Sequence, residues 1–221
     1  STTAPDGGIT EYFYDNAGNK IGERNPRTQV DAGLRNANGY SATYVYDGLG
    51  KLIKAVNADN KETLNFYDAN GNLTKVVDRQ EVGGANNAHQ TQFEYFANNL
   101  KKKEIYADGG IVEYTYDKVG NLKSKKDQEN RVRSFNYDDF NRLVAEIDPA
   151  GKSTAYVFDK AGNKSSVTYP DNTKTDFFYN SLNLLTSVKD QDTNETVFTY
   201  DARGNKLTVK CDNLMRGSLI N

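Results

Sequence analysis

Short stretches of alternating aromatic and polar residues run along the chain, and each ends in a small polar cluster. In the stretch 114–122, Tyr114 and Tyr116 lie two residues apart, so they share one face of a β-strand. Asp117 follows directly, and Gly120 is the third residue after it. Gly or Asn interrupts the chain about every ten residues, with aromatic and β-branched residues between, which favours strands over helices.

The same pattern recurs along the chain with a regular period. Its marker, normally an Asp after the second aromatic residue, lies at Asp15, Asp47, Asp68, Phe96, Asp117, Asp138, Asp159, Asn180 and Asp201. From Phe96 to Asp201 each marker follows the last by 21 residues, as does Asp68 after Asp47. The steps from 15 to 47 and from 68 to 96 are longer, at 32 and 28 residues. The sequence therefore predicts a tandem array of nine repeats, two of which carry insertions.

Each marker is expected to start a tight turn. The Asp carboxylate accepts hydrogen bonds from backbone amides two or three residues on, and the Gly or Asn at the third position tolerates positive φ. This chemistry predicts a type I turn followed by a left-handed residue. The predicted turn-forming residues are Asp15, Gly18, Asp47, Gly50, Asp68, Gly71, Asp117, Gly120, Asp138, Asn141, Asp159, Gly162, Asp201 and Gly204. At Phe96 the repeat is degenerate, and its turn is predicted to be one residue short.

A second strand and a second turn complete each repeat. The second strand is predicted to begin at an aliphatic residue, namely Ile21, Leu52, Leu73, Leu122, Leu143, Leu185 or Leu207. The second reversals have their own turn residues, as in 57–60, 108–110, 148–151 and 170–172. The predicted fold class is all-β, with tandem antiparallel β-hairpins in an elongated, coiled sheet that forms a partial spiral or barrel-like shell.

The repeats also suggest a domain organisation. Residues 1–10 are predicted to be a leader, 11–210 the repeat array and 211–221 an unpatterned tail. Surface loops are predicted at about 22–40 and 78–90, where inserted residues of a repeat array often carry its binding function.

Composition and charge exclude several classes of protein. The net charge is −2 with the two signs mixed along the chain, which argues against nucleic-acid binding. Lys101–Lys103 is interpreted as a solvated strand edge. No apolar run is long enough for a membrane span. The hydrophobic fraction is only 36%, but 15 Tyr and 10 Phe can supply the buried area that a folded array needs.

Little in the sequence points to catalysis or to a cofactor. His89 and Cys211 are the only residues of their types, so a Cys–His or Ser–His–Asp site and a zinc site are not expected. Residues 68–72 alternate oxygen ligands with a Gly, as calcium loops do, but the turn explains the Asp without a metal. The chain is predicted to be no enzyme and to bind neither cofactor nor metal.

The aromatic ladder has two interpretations. Stacked rings at each repeat most simply form the core between repeats, and this interpretation is favoured. Exposed, the same rings would form a platform for sugars. The candidate ligand-binding residues are Tyr44, Tyr46, Tyr114, Tyr116 and His89.

The pattern at 114–122 with its 21-residue period resembles the YD repeat of RHS-repeat proteins, and the resemblance covers about 12–209. That family includes bacterial polymorphic toxins, the cage component of insecticidal toxin complexes and teneurins. The resemblance implies a structural shell segment of a large secreted or cell-surface bacterial protein, with a cargo toxin or effector domain elsewhere in the parent chain as its partner. It also leaves open a carbohydrate-binding adhesion module and a surface scaffold that self-associates through its edge strands.

One departure from the toxin members concerns self-cleavage. Those members end their shell at an Asp-Pro-x-Gly-Leu signature, and Asp148–Gly151 is similar but is followed by Lys152. Further repeats also come after it. This stretch is therefore interpreted as an ordinary turn between strands.

Overall fold

The computed structural model describes residues 1–3, 8–25, 36, 39–79 and 89–211. By its internal contacts the chain divides into two compact units, Ser1–Tyr114 (unit 1) and Thr115–Asn221 (unit 2). Most of both predicted loops, part of the predicted leader and residues 212–221 of the predicted tail lie outside the described residues.

Nineteen strands in the described residues form an antiparallel sheet, which confirms the predicted all-β fold class. They are β1 (Thr2–Thr3), β2 (Ile9–Tyr14), β3 (Lys20–Arg24), β4 (Ala42–Tyr46), β5 (Leu52–Asn57), β6 (Glu62–Tyr67), β7 (Leu73–Arg79), β8 (Gln90–Tyr95), β9 (Lys101–Tyr106), β10 (Ile111–Tyr116), β11 (Leu122–Lys126), β12 (Val132–Tyr137), β13 (Leu143–Ile147), β14 (Ser153–Phe158), β15 (Lys164–Thr168), β16 (Lys174–Tyr179), β17 (Leu185–Lys189), β18 (Glu195–Tyr200) and β19 (Lys206–Cys211).

Strands that are adjacent in sequence pair with each other in the sheet. In unit 1 each strand from β2 to β9 pairs antiparallel with the next one. In unit 2 the same holds from β11 to β19. Each repeat therefore contributes two strands, and within each unit the described pairings join strands that are adjacent in sequence.

A five-residue turn closes each hairpin, and the turn at Asp15–Asn19 shows how. The Asp15 amide donates to the Asn19 carbonyl at 2.9 Å, and the Gly18 amide donates to the Asp15 carbonyl at 3.1 Å. Asp15 Oδ1 accepts the amides of Ala17 and Asn19, two and four residues on. The amide three residues after Asp15 belongs to Gly18 and donates to the Asp15 carbonyl instead. The carboxylate therefore accepts amides two and four residues on, and not two or three residues on as predicted.

The described residues contain sixteen such turns, and the second reversals share the same geometry. The fourth residue has positive φ throughout, including Asn60, Asn130 and Gly151 in second turns. At Phe96 the prediction of a shortened turn is wrong: Asn99 takes the fourth position with φ 63°, so the turn has its full length.

Both predicted loops begin later than the sequence suggested. Gly22–Arg24 belong to strand β3, and Asp78 still belongs to β7. At the other end of the first insertion, Asn36 starts a regular turn whose fourth residue, Gly39, has φ 79°. The inserted residues thus precede a standard second turn that the sequence analysis missed.

A β-bulge follows eight of the nine described first turns and changes which residues share a face. In the first repeat Tyr14 pairs with Lys20 and Phe13 with Gly22, so Ile21 is the extra residue. In the last repeat Tyr200 pairs with Lys206, and Leu207 is 64% exposed. The first paired residue after the turn is Leu52 or Leu73 in two repeats, but Lys20 or Lys206 in the first and last. The prediction that Ile21 and Leu207 hold this position is wrong. The bulge breaks the simple alternation on which the prediction relied.

The three lysines of β9 are not at a strand edge. Strand β9 pairs with β8 on one side and with β10 on the other. Lys101, Lys102 and Lys103 pair with Glu104, Glu94 and Glu113 at 2.7, 3.3 and 3.1 Å. The prediction of an edge-protecting run is wrong because this strand is internal to the ladder.

The core is thin for a protein of this length. Among the described residues only Val112 and Val167 are hydrophobic and fully buried. The rings one and three residues before each first turn are half-buried, except Tyr14, which is 59% exposed. Packing between successive repeats therefore covers these rings only in part.

Candidate functional site

One face of the sheet carries the rings, and we call it the aromatic face. In each repeat it comprises the residues one and three before the first turn, together with the residues paired opposite them. Tyr12 and Tyr14, for example, pair with Glu23 and Lys20. The position opposite the first ring is Val167 beside Tyr156 and Val209 beside Phe198. The aromatic face thus mixes rings and aliphatic side chains with a few charged ones.

In five repeats a tyrosine hydroxyl on this face bonds to the repeat before it. Tyr46, Tyr67 and Tyr95 donate to the carbonyls of Lys20, Leu52 and Leu73 at 2.8–2.9 Å. In unit 2, Tyr179 and Tyr200 do the same toward Lys164 and Leu185. The acceptor is always the first residue after the preceding first turn. These tyrosine hydroxyls therefore stabilise the sheet, and their protons are already used in hydrogen bonds within the protein.

Asparagines form a second set of links along the edge where the first turns lie. The Asn121 side-chain amide donates to Asp117 Oδ2 at 2.9 Å and to Asn141 Oδ1 at 2.8 Å. Asn163 joins Asp159 to Asn183 in the same way. Asn72 joins Asp68 to Asn99 in unit 1. The fifth residue of one turn thus contacts the fourth residue of the next.

Eight aspartates that start turns have a lowered pKa and are thereby stabilised in the charged form. The side-chain hydrogen bond from Asn19 is the largest cause that lowers the pKa of Asp15. Asn163 and Asn205 have the same effect on the pKa of Asp159 and Asp201. These carboxylates are already occupied by backbone and side-chain donors, which leaves them poorly suited to other ligands.

In unit 1 the aromatic face carries a Lys–Glu pair next to the rings. Lys20 Nζ lies 2.8 Å from Glu23 and 4.6 Å from the centre of the Tyr44 ring. The hydrogen bond to Glu23 raises the pKa of Lys20. Burial, followed by the charge of Glu23, raises the pKa of Tyr44. The two charges neutralise each other, so this part of the face has no net charge.

A second pair of the same type lies near the end of unit 1. Glu104 accepts hydrogen bonds from Lys101 at 2.7 Å, Tyr106 at 2.7 Å and Tyr114 at 3.0 Å. Burial alone would raise the pKa of Glu104, but these three donors outweigh it and the pKa is lowered. Lys101 also lies 4.8 Å from the Phe93 ring centre.

Unit 2 has lysines at the same repeat position without the matching glutamate. Lys164 Nζ lies 5.8 Å from the Tyr156 ring centre and 5.2 Å from that of Phe177. Lys206 Nζ lies 4.8 Å from the Phe198 ring centre. The position that Glu23 and Glu104 occupy in unit 1 is Val167 or Val209 here.

A further charged group on the aromatic face of unit 2 is also rich in cations. Lys125 and Arg133 are directly paired across β11 and β12. Arg133 forms an ion pair with Glu146, which pairs opposite Phe135 and so belongs to the same face. Among the described strand residues of unit 2, this face carries four cationic side chains (Lys125, Arg133, Lys164, Lys206) and one anionic side chain (Glu146).

The structure does not bring the candidate ligand-binding residues together into one site. Tyr44 is involved with Lys20 and Glu23, and the Tyr46 hydroxyl is bonded to the main chain. The Tyr114 hydroxyl is bonded to Glu104. His89 is exposed, at the border of the described residues. Ligand binding by these residues stays a prediction.

Within the described part of the chain, no group of three His, Cys, Asp or Glu residues is placed to hold a metal ion. Asp68 Oδ1 accepts the Asn72 amide and Oδ2 accepts its side chain, as in the other turns. Asp148 Oδ1 likewise accepts the amides of Ala150 and Lys152, as a turn-start residue does. No described helix is long and apolar enough to cross a membrane.

Sequence reasoning missed the charged residues of the aromatic face. The sequence pattern alone does not assign these residues to the aromatic face, because the β-bulge changes which residues share a face after the turn. They are Lys20, Glu23, Lys101 and Glu104. The signal was present, since each Lys follows the turn directly and each Glu comes three residues later. Reading it needs the position of the extra residue, which the pairing register defines.

Comparison with known proteins gives a family and a fold. The RHS Repeat family model matches residues 116–153, 137–174 and 179–212. No curated protein matches the sequence. Two solved structures share the fold: TcdB2-TccC3-Cdc42, with TM-score 0.51, and TcdB2-TccC3 without its hypervariable C-terminal region, with TM-score 0.52. Each is 14% identical over 93% of this chain.

The chain spans about a seventh of the length of those matched proteins, since it covers 14% of each. At that identity the likeness concerns the fold alone. The repeat pattern, the three family matches and the shared fold nevertheless agree. Residues 116–174 and 179–212 therefore match the RHS Repeat family, and the chain shares the fold of the two TcdB2-TccC3 structures.

Proposed function

We propose that the chain is a structural shell segment, a β wall that encloses or displays a toxin or effector domain of a larger protein. The observation that carries this proposal is that the same two kinds of side-chain link recur between repeats in both units. Every described first turn has the same geometry, and tyrosine hydroxyls bond successive repeats at one fixed position. Such a sheet is suited to act as a wall rather than as a mobile binding loop.

The comparisons support the proposal at the level of architecture. The chain shares its fold with parts of TcdB2-TccC3, and it covers only a small part of those proteins. One of them is described without a hypervariable C-terminal region, so a variable segment accompanies the repeats there. By analogy, the cargo of the present protein would be another segment of its parent chain.

A secreted or cell-surface location follows from this proposal as an expectation. The exposed Cys211 is the only cysteine, so the fold needs no intrachain disulfide. Binding of glycans and self-association through edge strands remain predictions.

Limited proteolysis of the parent polypeptide tests the shell proposal. We expect the effector segment to resist protease while the repeats are intact. It should become cleavable when the links between repeats are weakened, for example by combined Tyr67→Phe, Tyr179→Phe and Asn121→Ala substitutions. The matched control replaces exposed Thr115, whose partner is Ser124 on the same hairpin, by Ala. Equal cleavage of the effector with and without the repeats would contradict the proposal.

A further inference from the structure

We propose that the aromatic face of unit 2 is a docking surface for an acidic polypeptide segment. This inference rests on the proposed function and specifies the chemistry of the partner. It concerns the strand residues around Lys164 and Lys206, and the apolar residues between them. The two lysines are exposed, and neither of them forms an ion pair with an acidic side chain of the described residues.

The comparison between equivalent repeats carries the argument. In unit 1 a lysine directly after the turn is neutralised by a glutamate three residues on, as Lys20 is by Glu23 at 2.8 Å. In unit 2 the same place after Lys206 is taken by Val209, which is 54% exposed. Lys206 therefore has the position of Lys20, but an aliphatic residue stands where Glu23 does in unit 1. An incoming carboxylate can pair with the exposed lysine beside the ring, as the glutamate does in unit 1.

The surface between the two lysines is mostly apolar, with Thr175 and Thr196 among its aromatic and aliphatic residues. It presents Phe177, Leu185, Val188 and Phe198, and the Tyr179 hydroxyl is already bonded to the Lys164 carbonyl. Few hydrogen-bonding groups are therefore available there for the many hydroxyls of a sugar. A polypeptide that places apolar side chains between acidic ones fits this surface better than an anionic polysaccharide does.

The spacing of the lysines gives the pattern of the partner. Lys164 is in β15 and Lys206 in β19, four strand steps apart, which is about 19 Å at the usual strand separation. An extended segment advances about 3.3 Å per residue, so its acidic residues would lie about six positions apart. The excess of cations over anions on this face also favours rapid, salt-sensitive association with an acidic segment.

The test uses the full 221-residue chain and a labelled extended peptide with Glu at positions six apart and Val or Phe between. Binding is measured by fluorescence anisotropy at low and physiological salt. The matched control peptide has Gln in place of Glu, and sulfated polysaccharide is the competing ligand. The protein variants are Lys164→Gln with Lys206→Gln, Val209→Glu, and Lys20→Gln as the charge-matched control in unit 1. Circular dichroism checks that each variant is folded.

We expect the acidic peptide to bind at least tenfold more tightly than the Gln peptide. The double lysine variant should lose at least tenfold in affinity, and Val209→Glu should lose affinity because it supplies Lys206 with an internal partner. Lys20→Gln should bind as the unchanged protein does. Absence of binding by folded protein, or equal binding of both peptides, would overturn the inference. Tighter binding of the polysaccharide with the same variant profile would also overturn it, by replacing the polypeptide with a glycan. None of these results bears on protease protection, so the shell proposal stands or falls separately.

Discussion

At the scale of single residues, two positions of the turn have different roles in reversing the chain. The aspartate that starts the turn accepts backbone amides, and the fourth residue adopts a positive φ. Asp117 Oδ1 accepts the amides of Val119 and Asn121, while Gly120 has φ 99°, a conformation that few residues adopt cheaply. Asn141 takes the same role at φ 61°. The turn therefore requires one hydrogen-bond acceptor and one residue that tolerates positive φ.

The substitution Gly120→Val tests whether the fourth turn residue must tolerate positive φ. A β-branched residue at positive φ is strained, so we expect the free energy of unfolding to fall by about 1–3 kcal/mol. Gly120→Asn is the matched control, and its cost should be much smaller because Asn populates this region. Urea unfolding followed by circular dichroism measures both. An unchanged midpoint for Gly120→Val would show that the turn does not constrain this residue.

At the scale of structural elements, one hairpin is bound to the next by side-chain hydrogen bonds in addition to the backbone ladder. In five repeats the tyrosine before the first turn supplies one link, as Tyr67 does to the Leu52 carbonyl at 2.9 Å. The fifth turn residue supplies another, as Asn163 does to Asn183 at 2.9 Å. These links fix the register of a sheet whose buried core is small.

Tyr67→Phe removes one such link with little change in shape. A part-buried hydrogen bond of this kind contributes about 0.5–1.5 kcal/mol, so stability should fall by that amount. Phe158 occupies the equivalent position in unit 2 and has no hydroxyl. Phe158→Tyr should therefore raise stability slightly, since it can reach the carbonyl after the preceding turn. Thermal unfolding of both variants checks the prediction; stabilisation by Tyr67→Phe would contradict it.

The asparagine link can be isolated by a double-mutant cycle. Asn121→Ala and Asn141→Gly each remove one partner, and Gly keeps the positive φ that this position needs. We expect a coupling energy of about 0.5–1 kcal/mol between the two substitutions. Gly204 has the same turn position as Asn141, but the fifth residue of the turn before it is Leu184 and not Asn. A Cβ atom added at Gly204 would lie 3.7 Å from the Leu184 side chain, so the contact there is apolar. Strict additivity at 121 and 141 would show that the link contributes nothing.

At the scale of the whole molecule, stability is spread over many equivalent contacts. Each strand contacts its neighbours in sequence, and only Val112 and Val167 are fully buried hydrophobic residues in the described part. An array of this kind depends on the sum of the interfaces between repeats. The two units differ in charge instead: the lysines of the aromatic face are paired with glutamates in unit 1, and Lys164 and Lys206 are not in unit 2.

The repeated turns predict a shared response to acid. Nine aspartates in the turns have a lowered pKa, and for Asp159 the side-chain hydrogen bond from Asn163 is the largest cause. A lowered pKa in the folded state gives stability that is present above the unfolded value. That stability is lost as the pH falls below about 4 through the folded values.

Urea midpoints measured from neutral pH downward check this response. They should stay level to about pH 4 and then fall steeply, as the turn carboxylates become protonated. In Asn163→Ala the pKa of Asp159 should rise toward its ordinary value, so the loss of stability below pH 4 should be slightly smaller than in the unchanged protein. Midpoints that rise on acidification would contradict the role assigned to these carboxylates.

The sequence by itself determined the repeat, the strand count per repeat and the place of each first turn. These features depend on local chemistry: alternation for strands, an acceptor at Asp117 and a tolerated positive φ at Gly120. Tertiary structure decided which residues share a face, because the bulge at Ile21 moves Lys20 onto the aromatic face. It also decided that β9 is internal and that the Tyr46 hydroxyl bonds to the preceding repeat. Such features join residues about 10 to 30 positions apart, and no local pattern specifies them.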